Sequence, residues 1–345
     1  MTPLYYIYKY PYKLGWYIAK LFNKNRDLIF YCADPLDYEM FLPIKNNLSK
    51  VEIVAKNEKT RNYLNDIGVP FLSMPVFPQA VIMARHSPYK FPVKKIIKIG
   101  FDHGLYQFKR WTDPQNYNRF NIYFVSSEEQ VKTAKILGIT TTKAIGYPKL
   151  DKAFDGTYND DYLSKIKTEL QLDKNKKTII FTSTWDVDGL SALDRWIDHV
   201  GELTDKYNVL ITVHTWTKKN KVEKLKKVKG AVFLDAFDVT PYIMISNVFV
   251  GDYNSLIGEA CALDKPIITF RVPESKRSIE EIRDMISRIS IQIDSFDEIN
   301  KAIESSLNNP TAKSDERQKA NEIMYYKLDG NAGKRAAESI KQILK

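Results

Sequence analysis

The chain has 345 residues, 44% hydrophobic and 27% charged, proportions of an ordinary globular protein with room for two domains of roughly 150 residues each. No run approaches the ~20 uninterrupted apolar residues of a membrane span, and the start, Met1-Thr2-Pro3-Leu4-Tyr5-Tyr6, has no small-residue cleavage site. A spanning helix and a secretory leader are therefore not expected. The net charge of +10 bears on partners rather than on fold.

Much of that charge is local. Residues 1–26 carry Lys9, Lys13, Lys20, Lys24 and Arg26 and no acid, interleaved with Tyr5, Tyr6, Tyr8, Tyr10, Tyr12, Trp16, Tyr17 and Phe22. Lysines among interfacial aromatics suit an anionic membrane surface, and an ordinary first helix with its aromatics facing the core is the alternative. From Asp27 to Cys32 the sequence predicts a strand, then a helix over 35–49, a strand at Val51–Ala55 and a helix over 58–67. Further strands are expected at 80–84, 95–100 and 121–125, followed by a helix from Ser127 to Leu137. Cys32 sits in the first of these strands, and buried, reduced thiols are expected at Cys32 and Cys261.

The segment Asp155–Lys177, a Gly-Thr-Tyr-Asn-Asp-Asp turn cluster and then a charged helix, breaks the rhythm and reads as the link between domains. The alternation restarts with a strand at 178–181, a helix over 190–206 and a strand at 209–213. A lysine-rich helix over 218–228 follows; the run Lys218–Lys229 holds seven lysines, read as a solvated face rather than a nucleic-acid site. Strands at 231–234, 248–250 and 266–270 come next, with helices at 240–245 and 256–263, and a terminal helix closes the chain. Strands apolar throughout and separated by helices imply parallel sheets covered on both faces. The expected fold is α/β, with two Rossmann-like domains facing across a cleft: 1–154, with a C-terminal helix of about 325–345 packing near it, and 155–324. Ligands of such sheets bind at the carboxyl ends of the strands.

Of four histidines, two end predicted strands: His103 in Phe101-Asp102-His103-Gly104, and His214 in Val213-His214-Thr215. A neutral imidazole there can take a proton near pH 7; a structural role is the ordinary alternative. His86 and His199 carry no assignment. In Val250-Gly251-Asp252-Tyr253-Asn254-Ser255-Leu256 a strand passes through a polar turn into a helix. The Ser255 hydroxyl and the unpaired N–H groups of the first helical turn would cradle a phosphate, although Asp252, Asn254 and Ser255 are also ordinary N-caps. Glu259, one turn on, would accept from a ribose. Thr182, Ser183 and Thr184 form a second hydroxyl-rich strand end. The pair Asp186 and Asp188 mimics an acidic metal motif but stands alone. No cluster has metal-ligand spacing, so no metal or other cofactor is expected, and there is neither a P-loop nor a Gly-rich dinucleotide fingerprint.

Several stretches match one family in order. His103-Gly104, with Lys109 after it, parallels a strand-ending Trp-His-Gly with a following lysine. Gly146-Tyr147-Pro148-Lys149-Leu150-Asp151 parallels Gly-x-Pro-Arg-x-Asp, Ser183-Thr184-Trp185 parallels Pro-Thr-Trp, and His214 stands where a strand ends in His-Pro. Ser246 to Ser255 parallels Ser-Asp-x-Leu-Ile-Thr-Asp-Tyr-Ser-Ser, then Leu263-Asp264-Lys265-Pro266 and an Asp329-to-Arg335 helix motif. The chain resembles the CDP-glycerol glycerophosphotransferases, the teichoic-acid primases and polymerases. It departs from them at Asp102, Thr215 and Asn254, where the family has Trp, Pro and Ser.

The resemblance implies a GT-B fold and CDP in the C-terminal half. It also implies peripheral attachment to the inner face of a bacterial membrane, on its cytoplasmic side. A CDP-polyol, first of all CDP-glycerol, would be the donor, and a glycan or polyol-phosphate polymer the acceptor. His103 would be the general base and His214 would help neutralise the pyrophosphate, while Thr182, Ser183, Thr184, Asp252, Asn254, Ser255 and Glu259 would surround the nucleotide. Two competing readings are a UDP-N-acetylglucosamine 2-epimerase, which would place two glycines where Leu256 and Ile257 stand, and a basic membrane or nucleic-acid adaptor without enzymatic activity. The oligomeric state is left open.

Overall fold

The computed structural model describes residues 3–102, 104–105, 111–186, 189–276 and 278–345. The described chain divides into two compact units. One holds the residues up to Gly104, from Trp111 to Asp151 and from Asp329 to Lys345, and the other holds Leu105 and Lys152–Leu328.

The first unit is built on a seven-stranded sheet of β1 (Arg26–Cys32), β2 (Glu52–Ala55), β3 (Leu72–Ser73), β4 (Pro78–Met83), β5 (Ile97–Phe101), β6 (Ile122–Val125) and β7 (Thr142–Ala144), in the order β3-β2-β1-β4-β5-β6-β7. Every pairing is parallel. Ile29, Phe30, Tyr31 and Cys32 are all buried, because helices cover both faces of such a sheet. The second unit repeats the plan with β8 (Thr178–Ser183), β9 (Asn208–Val213), β10 (Ala231–Phe233), β11 (Val248–Gly251), β12 (Ile267–Phe270) and β13 (Ser290–Ile293), in the order β10-β9-β8-β11-β12-β13, again all parallel. In each sheet the order reverses once, between β1 and β4 and between β8 and β11. Those reversals are where a doubly wound sheet opens a crevice for ligands.

The first helix, Pro3–Leu21, turns one face into the core. Tyr12 and Trp16, one turn apart, are 3% and 2% exposed; their polar atoms donate to the carbonyls of Val76 and Pro78 at 2.7 Å each. The opposite stripe of Ile7, Tyr10, Leu14, Tyr17, Ile18 and Leu21 is exposed.

The last helix, Ala332–Ile343, belongs to the first unit and packs on the helix Pro35–Lys45. A Cβ on Gly333 would lie 2.5 Å from the Pro43 carbonyl, so only glycine permits this approach. The Asp151 carboxylate accepts from the amides of Ala332 and Gly333 at 3.0 and 2.7 Å, and Arg335 donates to the Ile145 carbonyl at 2.7 Å. Two sequence motifs, Gly146–Asp151 and Asp329–Arg335, thus form one joint that pins the chain's return to this unit.

The charged helix expected within 155–177 is Asp160–Glu169, capped by Asn159 and packed within the second unit on the helix Thr240–Ile245. Two expectations are corrected. The helix over 190–206 is in fact a turn of α-helix, Leu193–Trp196, and a 3-10 segment, Val200–Leu203. Gly201 lies in its middle, and glycine weakens a helix interior by about 1 kcal/mol relative to alanine. The single terminal helix is two, Ser314–Met324 and Ala332–Ile343, parted by the turn around Asp329-Gly330.

Candidate active site

At the reversal of the second sheet, β8 and β11 run side by side with Phe181 opposite Val250. Both strands end in polar residues, and Gly251 lets them converge: a Cβ there would lie 2.8 Å from Thr182 Oγ1. The turn after β11 puts Asp252 at the centre. Its carboxylate accepts from Ser183 Oγ at 2.6 Å, the Thr184 amide at 2.9 Å, the Ala192 amide at 2.9 Å and Asn254 Nδ2 at 3.0 Å. Asp252 is 1% exposed; burial pushes its carboxyl above the usual range, and the four donors oppose that rise. One carboxylate thereby closes both ends of the loop that leaves β8.

The nine sequence candidates sort by exposure. Thr182, Ser183, Asp252 and Glu259 are buried among protein partners: Thr182 Oγ1 bonds the Val250 carbonyl and Asn254, and Glu259 accepts from Thr240 Oγ1 at 3.1 Å. Thr184, Asn254 and Ser255 are half-buried and His214 is exposed, so these four present the site's surface. His103 and Lys109 lie outside the described residues, as does Asp188. Asp102, next to His103, follows the end of β5.

The phosphate cradle differs from expectation. The helix begins at Leu256, whose amide is already capped by Asn254 Oδ1 at 3.0 Å. The next two amides, of Ile257 and Gly258, bond back to the carbonyls of Asn254 and Ser255. These first-turn amides are therefore spent within the turn, one on the side chain of Asn254, which precedes the N-cap Ser255, and two on backbone carbonyls. Ser255 makes no capping bond, and its hydroxyl is the polar group left at the helix start.

His214 follows β9, its amide donating to the Ser183 carbonyl at 3.1 Å. The Trp216 amide donates to His214 Nδ1 at 3.1 Å. That bond requires a lone pair on Nδ1, so the neutral ring carries its proton on Nε2 and acts there as a donor. Trp185, Trp216 and His214 form an aromatic cluster with ring centroids 5.0 to 6.2 Å apart.

Sequence reasoning missed Ser191 and Ala192, which complete the Asp252 clamp, and Thr240, the partner of Glu259. Nothing in their local pattern marks them, since the contacts span 60 residues for Ala192 and 19 for Thr240. A small cavity of about 220 Å³, lined by Asp252, Tyr253, Arg271 and Arg283, adjoins the turn. Roomier hollows of about 610 and 730 Å³ lie at the amino ends of strands, near Asn25–Leu28 and near Lys174–Thr178, the wrong end for a ligand of such a sheet. Among the described residues no three His, Cys, Asp or Glu side chains gather as metal ligands.

The model of the CDP-glycerol:poly(glycerophosphate) glycerophosphotransferase family matches residues 93–342. The chain belongs to this family. The teichoic acid ribitol-phosphate polymerase TarK of Staphylococcus aureus is 26% identical over 173 residues, 46% of this chain and 33% of TarK. A teichoic acid poly(glycerol phosphate) polymerase of Staphylococcus epidermidis is 25% identical over 170 residues, 47% of this chain and 23% of that protein. The chain thus matches no more than about a third of the length of these relatives. The solved structure of the wall teichoic acid polymerase TagF aligns over 98% of both chains with a TM-score of 0.69 at 13% identity. The family member described here has that fold, the two-unit α/β architecture of the GT-B type.

Proposed function

We propose that this glycerophosphotransferase-family chain moves a polyol phosphate, glycerol phosphate first among the candidates, from a CDP-activated donor to a hydroxyl of a cell-surface glycan. A teichoic-acid-like or capsular polymer would be that acceptor. The observation that carries this is the gathering of Thr184, His214, Asn254 and Ser255 at the carboxyl ends of β8, β9 and β11, where the order of the second sheet reverses. In this reading the donor pyrophosphate lies against the Asn254–Ser255 turn. The Ser255 and Thr184 hydroxyls and His214 Nε2–H donate to its oxygens. An acceptor oxygen attacks the phosphorus that bears the polyol; the new O–P bond forms as the bond to the bridging oxygen breaks, and that oxygen leaves with CMP. His103 takes the acceptor's proton. Such transfers depend on positioning and charge stabilisation more than on covalent chemistry by the protein.

The reading uses no metal ion, so rates with and without a chelator should agree. The family match favours it over the epimerase and adaptor readings. The test is nucleotide release from CDP-glycerol, CDP-ribitol and UDP-sugars in the presence of a polyol-phosphate acceptor. CMP from a CDP-polyol supports the reading, and release from UDP-sugars alone overturns it.

The chain is also proposed to work on the cytoplasmic face of a bacterial membrane. No helix among the described residues is long and apolar enough to cross one. Support comes from the exposed apolar stripe of the first helix, flanked by Lys9, Lys13, Lys20 and Lys24 with no acid, which suits an anionic lipid surface.

A further inference from the structure

Trp216 is 63% exposed, at the carboxyl end of the second sheet after β9, two strands from β11, which leads into the Asp252 turn. A tryptophan left in water is not explained by packing, and this one is held in place. Its ring stands edge-on to Trp185, at 5.0 Å and 86°, and to His214, at 5.4 Å and 73°. Its backbone amide is tied to His214 Nδ1. In an edge-to-face pair one ring sets its rim against the other's face, and most of the Trp216 side chain still stays in solvent, where another ring can meet it. Two of the neighbouring lysines are matched by carboxylates: Lys218 and Lys221 lie 3.5 and 3.7 Å from Asp186, and Lys221 lies 2.6 Å from Asp194. What Trp216 itself offers a ligand is an exposed aromatic surface, which suits a ring.

We propose that Trp216, braced by Trp185 and His214, is the stacking platform for the cytosine ring of the donor nucleotide. This rests on the donor reading above. The base is the only flat ring of a CDP-polyol. The platform is continuous with the pyrophosphate turn through the bond from the His214 amide to the Ser183 carbonyl. With phosphates at the β8–β11 reversal, the nucleoside runs outward over the end of β9.

The test is calorimetric titration of the full chain with CDP, alongside thermal melts. Base–aromatic stacking predicts that Trp216→Ala raises the CDP Kd about 5- to 150-fold without lowering the melting temperature, and that Trp216→Phe restores most of the affinity. An unchanged Kd in a folded Trp216→Ala protein overturns the proposal, as does a Trp216→Phe protein as weak as the alanine variant. Failure of the wild-type chain to bind CDP refutes the donor reading itself, and the platform with it.

Discussion

Asp252 and Ser255 lie three residues apart, yet their loss should read out differently. In Asp252→Asn an amide NH₂ replaces one acceptor oxygen, taking that acceptor from the Ser183 hydroxyl and Ala192 amide, which share Oδ2, or from the Thr184 amide and Asn254 Nδ2, which share Oδ1. That costs about 1–3 kcal/mol for each group, so urea midpoints and CDP affinity should fall together. Ser255→Ala should weaken CDP binding while stability stays within about ±0.5 kcal/mol, because its hydroxyl makes no capping bond. His103→Ala should slow transfer by ~10² to 10⁴. His199→Ala should leave the rate alone, since His199 is an exposed partner of Glu202 at 2.8 Å; steady-state rates on folded proteins decide. In the first unit, burial raises the Asp37 carboxyl from 3.8 to about 6, although Arg85 donates to both its oxygens at 3.0 Å. The folded state then binds this proton more tightly than the unfolded state. Stability from Asp37 is present at low pH and is lost as pH rises from about 4 to about 6, by about 3 kcal/mol. Relative to wild type, Asp37→Asn should therefore fare better at pH 6.5 than at pH 4 in urea melts. An opposite trend would mean that Arg85 outweighs burial.

Two helices carry the predictions at the next scale. Gly333→Ala drives a methyl into the Pro43 carbonyl and should destabilise the chain by about 1–3 kcal/mol, read as a lowered urea midpoint. The first helix cannot be deleted to test membrane binding, because Tyr12 and Trp16 are part of the core. Replacing Ile7, Leu14 and Leu21 with glutamine changes only exposed positions. This variant should sediment less with anionic vesicles at unchanged melting temperature; undiminished sedimentation would contradict the membrane reading. These elements also show where the sequence was readable. Central strands such as β1 and β11 announce themselves as apolar runs because both faces are covered. β3, β7 and β13 sit at or near sheet edges, where Leu72, Thr142, Ile291 and Gln292 are only half-buried, so no such run marks them. The helix Glu280–Ile289 begins without a side-chain cap, the Ser278 hydroxyl bonding Ser275 instead.

For the whole molecule, two doubly wound units followed from the alternation of strands and helices, because crossover connections in parallel sheets demand it. The turn Asp252–Ser255 was legible as a strand-to-helix junction. Its division of labour was not. Whether a polar residue meets ligand or protein depends on contacts between distant strands, as with Asp252 and Ala192. The motif Leu263-Asp264-Lys265-Pro266 is likewise structural here: Asp264 adopts a positive φ of 49° and accepts from buried Arg317 at 2.6 Å. The most direct measurement follows CDP-glycerol labelled in its glycerol, incubated with a polyol-phosphate acceptor and the purified chain. The account predicts label in the acceptor with one CMP released per glycerol phosphate transferred, and loss of both in His103→Ala. Label that stays with the nucleotide, or turnover unchanged in a folded His103→Ala protein, would contradict it.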